Sequence, residues 1–151
     1  MIRILFICHG NICRSAAAEM ILTQMAKERG ILKRLTIDSA ATSTEEIGND
    51  VYPPMKRALH AHGIRCLDHS ARQITSRDYD EYDLLIGMDR ENLRNMRRLW
   101  PDDPDGKLHT MMEYAGRPGA QVADPWYTRD FEATIRDVTE GCEGLIVSLG
   151  L

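Results

Sequence analysis

A cysteine at position 8, an arginine at 14 and a serine at 15 frame the segment Cys8-His9-Gly10-Asn11-Ile12-Cys13-Arg14-Ser15. Each residue type has a use in anion chemistry. A cysteine thiolate is a strong nucleophile. A guanidinium closes on an oxyanion with two parallel hydrogen bonds, which a lysine ammonium cannot do. A serine hydroxyl donates to a sulfur and helps it leave. Between them, Gly10 and Asn11 suit the positive φ values of a backbone that curls its amides around one point. The chemistry this arrangement supports is attack by Cys8 on a tetrahedral dianion cradled above it.

The surrounding elements decide whether those residues meet. Arg3 to Cys8 is an apolar run of the kind that forms a buried strand, and a helical pattern opens at Ser15. A loop from a strand into a helix N-terminus gathers free N–H groups and a partial positive charge. Without that context, Cys8 reads as a small buried hydrophobe, Arg14 as a surface residue and Ser15 as a plain N-cap. The strand–loop–helix setting favours the chemical reading.

Farther along, the first helix stops at Gly30, Leu35 to Ser39 reads as a second strand, and Thr42 to Pro54 as a polar loop. A helix starting near Pro54 runs to His62 and ends at Gly63. Asp83 to Met88 is a third strand, with Asp89 as N-cap of a helix through Leu99 that Pro101 terminates. Lys107 to Met111 forms a short last strand, Gly116 to Tyr127 a loop, and Phe131 to Leu149 a final helix weakened by Gly141 and Gly144. The expected fold is α/β: one domain over residues 1–151, a doubly wound, parallel four-stranded sheet with helices on both faces. The anion loop lies between strand 1 and helix 1.

Composition narrows the function classes. A net charge of -4 and a pI near 5.7 give no basic surface for nucleic acid. No apolar stretch approaches the roughly 20 residues that span a bilayer, and the six-residue run before Cys8, interrupted by Arg3, is short for an export signal. Four cysteines without such a signal are expected to be reduced thiols in a cytoplasmic protein.

Read together, Cys8 to Ser15, Asp38-Ser39-Ala40-Ala41 and Asp124-Pro125-Trp126-Tyr127 resemble the low-molecular-weight protein tyrosine phosphatase family over essentially the whole chain. The resemblance implies hydrolysis of protein phosphotyrosine through a cysteinyl-phosphate, with inorganic phosphate as product and inhibitor and with no metal or cofactor. Cys8 would be the nucleophile, Arg14 the phosphate clamp and Asp124 the general acid. Asp124-Pro125 alone reads equally well as a turn. His9 to Cys13 and Ser15 complete the phosphate-binding loop.

Asn11, by the same resemblance, is held in its strained pose by hydrogen bonds to Ser39 and His69, although a lone histidine such as His69 also reads as a surface imidazole. Ile12, Trp126 and Tyr127 form an apolar pocket for an aromatic ring. Cys13 either traps oxidised Cys8 as a disulfide or simply packs, and Cys66 and Cys142 read as structural. Two positions depart from the family pattern: Ala16 replaces a proline, and Glu45 stands where an aromatic wall is usual. Three rivals remain. An arsenate reductase needs relay cysteines that Gly87 to Trp100 lacks, an arginine phosphatase has threonine where Ile12 stands, and a phosphocarrier or phosphate-binding module needs no acid.

Overall fold

The computed structural model describes all residues, 1–151. Four parallel strands form one sheet: β1 (Ile2–Cys8), β2 (Leu35–Ala41), β3 (Leu84–Gly87) and β4 (Leu108–Thr110), in the order β2-β1-β3-β4. The helices are α1 (Arg14–Glu28), α2 (Pro53–Ala61), α3 (Asp78–Glu81), α4 (Arg90–Leu99), α5 (Met111–Tyr114), α6 (Pro125–Thr128) and α7 (Phe131–Ser148). None is long and apolar enough to cross a membrane.

Strand periodicity divides the core. Side chains alternate across a strand, so Ile4, Phe6 and Cys8 of β1 join the larger apolar cluster with α1, α5 and α7. Leu5 and Ile7 face the other way, into a smaller cluster with Tyr79 of α3, Tyr82, and Met96 of α4. Both faces of the sheet are therefore covered. Each large side chain removed from water here contributes about 1.5–3 kcal/mol. Ile4, Leu5, Phe6 and Ile7 are all fully buried, which explains the unbroken apolar run.

The chain passes from β1 to β2 on one side and later returns to β3 on the other. The carboxyl ends of β1 and β3 therefore flank a topological switch point, where doubly wound sheets bind ligands. Cys8 ends β1 there, and Asp89 follows β3.

Several expectations shift. Strand β2 runs on to Ala41 because Ala40 and Ala41 pair with Ile7 and Cys8. Helix α1 begins at Arg14, one residue early, and three single-turn helices, α3, α5 and α6, appear where no period was long enough to read. Gly141 and Gly144 lie inside an unbroken α7. A Cβ on Gly144 would lie 1.7 Å from the Tyr114 carbonyl oxygen, and one on Gly141 would lie 2.5 Å from Met111 Cε. The glycines are what let α5 seat directly on α7.

Candidate active site

The loop from Cys8 to Arg14 is held by its carbonyls. Thr42 N–H donates to the Cys8 carbonyl (2.9 Å), Ser43 N–H to His9 (3.1 Å), Tyr52 N–H to Ile12 (2.9 Å) and Ala17 N–H to Cys13 (2.9 Å). The Ser43 hydroxyl adds a second bond to the His9 carbonyl at 2.9 Å. His69 Nε2 lies 2.6 Å from the Asn11 carbonyl, which only accepts, so Nε2 carries the proton. In a trans peptide the next residue's N–H points opposite to its carbonyl. Pinning the carbonyls outward therefore turns the N–H groups of His9, Gly10, Ile12, Cys13 and Arg14 to the concave side. Such a nest favours an anion.

Asn11 takes the left-handed conformation, φ 59°, as its residue type allows. Gly10 has no positive φ, contrary to expectation. Its lack of a side chain serves space instead, since a Cβ there would crowd Glu46 Cγ at 3.3 Å. The supports of Asn11 also differ from those expected. Its side-chain amide donates to Ser15 Oγ (2.9 Å), and its side-chain oxygen accepts from Arg72 N–H (3.3 Å). His69 reaches the Asn11 main chain rather than its side chain. Ser39 does not bond Asn11: its hydroxyl donates to Glu19 Oε1 at 2.5 Å, under α1. Burial raises the Glu19 carboxyl, while the Ser39 bond and the His69 charge oppose that rise.

The Cys8 sulfur receives two contacts. Asn11 N–H donates to Sγ at 3.3 Å, and Ser15 Oγ stands 3.0 Å away. Ser15 Oγ already accepts from Asn11, which leaves its own hydrogen for the sulfur. Ser15 is thus no plain N-cap: it lies inside the first turn of α1, fully buried, and faces Cys8. Cys13 stays a thiol. Burial, then the charges of Cys8 and Asp124, push it up to about 12.

Arg14 is almost wholly buried and braced from outside the loop. Its Nη1 donates to Asp89 Oδ2 at 2.6 Å and to the Val122 carbonyl at 3.0 Å, and Nη2 lies 3.4 Å from Asp124 Oδ2. Burial acts to lower its pKa, but the charge on Cys8, the Asp89 bond and Asp124 outweigh it and hold the guanidinium above its ordinary value. Asp124 is N-cap of α6: Oδ1 accepts from Trp126 N–H at 3.0 Å, which leaves Oδ2 toward the pocket.

One pocket unites most of the expected residues. Cys8, His9, Gly10, Ile12, Cys13, Arg14, Glu45, Asp124, Trp126 and Tyr127 all line it. Asn11, Ser15, Ser39 and His69 lie outside its lining. Glu45 sits at the rim, 3.0 Å from His9 Nε2. Sequence reading missed Glu46, also on the rim, and saw Asp89 only as a helix cap. An acidic residue two positions past the end of the strand beside β1 is the signal that marks Asp89. Nothing local marks Tyr52 or Arg72, whose contacts with this loop are made by main-chain N–H groups.

Comparison with known proteins gives the family and the fold. A family model described as low molecular weight phosphotyrosine protein phosphatase matches residues 3–150. The low molecular weight protein-tyrosine-phosphatase YfkJ of Bacillus subtilis is 34% identical over 150 residues, covering 99% of this chain and 96% of that protein. The crystal structure of YfkJ superposes with a TM-score of 0.95, covering 99% and 95% of the two chains. The low molecular weight phosphotyrosine protein phosphatase of Gallus gallus is 36% identical, covering 95% of this chain and 92% of its own. A Drosophila arginine phosphatase structure has a TM-score of 0.89 at 26% identity, covering 98% of each chain.

Proposed function

The chain belongs to the low molecular weight phosphotyrosine protein phosphatase family, and from that premise we propose how its own residues hydrolyse phosphotyrosine in proteins. One observation carries the reading: the Cys8 sulfur, the Arg14 guanidinium and the Asp124 carboxyl line a single pocket at the switch point of the sheet.

The phosphate dianion sits on the loop N–H groups. Three of Arg14's five N–H donors serve Asp89, Val122 and Asp124, leaving Nε–H and one Nη2 hydrogen for two phosphate oxygens. Cys8 thiolate attacks phosphorus: an S–P bond forms and the P–O bond to tyrosine breaks. The Asp124 carboxyl gives its proton to the departing phenolic oxygen, a contribution of about 10² to 10⁴ in rate. A water then attacks the phosphoryl group while the Asp124 carboxylate takes its proton. The S–P bond breaks, Ser15 stabilises the released thiolate, and inorganic phosphate leaves as product and competitive inhibitor.

Substrate choice follows from the walls. Ile12, Trp126 and Tyr127 offer apolar and aromatic surface to a phenyl ring. Four unpaired cysteines, one of them a nucleophile, fit a reducing cytoplasm. Peptides carrying phosphotyrosine, phosphoarginine or phosphoserine test the reading on purified protein. Phosphotyrosine is hydrolysed fastest. A higher kcat/KM on phosphoarginine would assign the pocket to the other substrate.

A further inference from the structure

The short turn carrying Asp124 is anchored unevenly. On its N-terminal side, Val122 is buried, with its N–H on the Met88 carbonyl (2.9 Å) and its carbonyl on Arg14 (3.0 Å). Beyond Pro125, every residue from Trp126 to Asp130 is exposed. Packing alone does not fix that half of the turn.

Tyr52 supplies the missing tie. Its N–H donates to the Ile12 carbonyl, so its main chain is part of the scaffold of the Cys8 loop. Its ring packs against Trp126 at 4.9 Å between centroids and against Phe131 at 6.2 Å. Its hydroxyl accepts from Arg129 Nη1 at 3.0 Å, and the same guanidinium stacks over the Tyr52 and Phe131 rings at 5.4 Å. Arg129 closes α6 with its N–H on the Pro125 carbonyl, in the left-handed conformation at φ 61°. A non-glycine residue holds that pose only where its surroundings compensate, and such outliers gather at functional sites.

We propose that Tyr52 and Arg129 are positioning residues. Together they strap the Asp124 turn to the Cys8 loop and hold the Asp124 carboxyl over the sulfur for proton transfer to the leaving oxygen. The proposal rests on Asp124 being the general acid. It predicts a specific defect: with the strap cut, phosphate binding and thiolate attack persist, while protonation of the leaving group suffers.

The test compares native protein, Arg129→Gly, Tyr52→Phe and Asp124→Asn on two substrates. Para-nitrophenyl phosphate has a leaving group that needs little protonation, and phenyl phosphate has one that needs it. kcat/KM reports the steps through departure of that group. Arg129→Gly lowers kcat/KM on phenyl phosphate about 10-fold and changes it less than about 2-fold on para-nitrophenyl phosphate. Tyr52→Phe, which keeps the ring and the main-chain bond, gives a smaller loss in the same direction. Inhibition by inorganic phosphate is unchanged in both. Arg129→Gly leaves Tm nearly unchanged, because release of the left-handed strain offsets the lost Tyr52 and Phe131 contacts, and the melt shows that a fall in activity is not a fall in folding. An unchanged ratio between the substrates, or an equal loss on both, overturns the strap while Asp124→Asn still discriminates between them. An Asp124→Asn protein that does not discriminate overturns the acid assignment itself, and the strap with it.

Discussion

Asp89 Oδ2 lies 2.6 Å from Arg14 Nη1, while Asp89 Oδ1 accepts the N–H of Asn92 at 2.7 Å. One carboxylate thus caps α4 and aims the guanidinium that faces the pocket. The two jobs separate by substitution. Asparagine caps a helix as well as aspartate does but carries no charge for Arg14. Asp89→Asn is therefore expected to lower stability only through the lost pairing with buried Arg14, while it lowers kcat/KM about 10-fold and weakens inhibition by inorganic phosphate. Asp89→Ala adds a stability loss of about 1 kcal/mol from the missing cap. Thermal melts beside phosphate inhibition curves separate the two effects.

The two loop cysteines differ in reactivity for a physical reason. Burial, the Cys8 charge and Asp124 push the Cys13 thiol up to about 12. A raised thiol pKa means the neutral, unreactive form persists below that value, so Cys13 resists alkylation throughout the neutral range and ionises only as pH climbs toward 12. The fully buried Cys142 is raised by burial and then by Glu143, and resists as well. Iodoacetate at neutral pH is expected to label Cys8, whose sulfur has two donor contacts and opens on the pocket, with inorganic phosphate protecting it. Peptide mass mapping checks the site, and equal labelling of Cys13 would refute the assignment.

Glycine at 144 is a packing requirement. Gly144→Ala places a Cβ against the Tyr114 backbone carbonyl, a group that cannot rotate away. The expected cost is about 3 kcal/mol, at the upper end of ordinary overpacking, read as a lower denaturation midpoint. Gly141→Ala costs less, because its nearest contacts are side-chain atoms of Met111, a flexible residue, although the Met111 carbonyl oxygen follows at 3.0 Å.

These glycines also mark where sequence reading stops. Strands β1 and β3 were legible as apolar runs and β2 and β4 as short stretches between helical patterns and turns, and the anion loop was legible because cysteine, arginine and serine keep a fixed spacing between strand and helix. Gly141 and Gly144 read as helix weaknesses because propensity is a local quantity, whereas their role depends on α5 arriving from 30 residues earlier. Asn11 was recognised as a strained support, but its partners were not: Ser15 and Arg72 hold its side chain, and Ser39 turns to Glu19. Which of several nearby hydroxyls meets an amide is settled by strand register and helix rotation, and no spacing rule carries that. Tyr52 was invisible for the same reason, since its N–H meets the Ile12 carbonyl and its ring meets Trp126 only through the fold.

The central claim is that phosphate passes through the Cys8 sulfur. Rapid acid quench of Asp124→Asn, whose second step lacks its base, followed by peptide mass mapping after exposure to an aryl phosphate, tests it most directly. The account predicts one phosphoryl group on the Cys8 peptide, absent when Cys8 is serine. A phosphoryl group on any other residue would contradict it, as would hydrolysis surviving in Cys8→Ser.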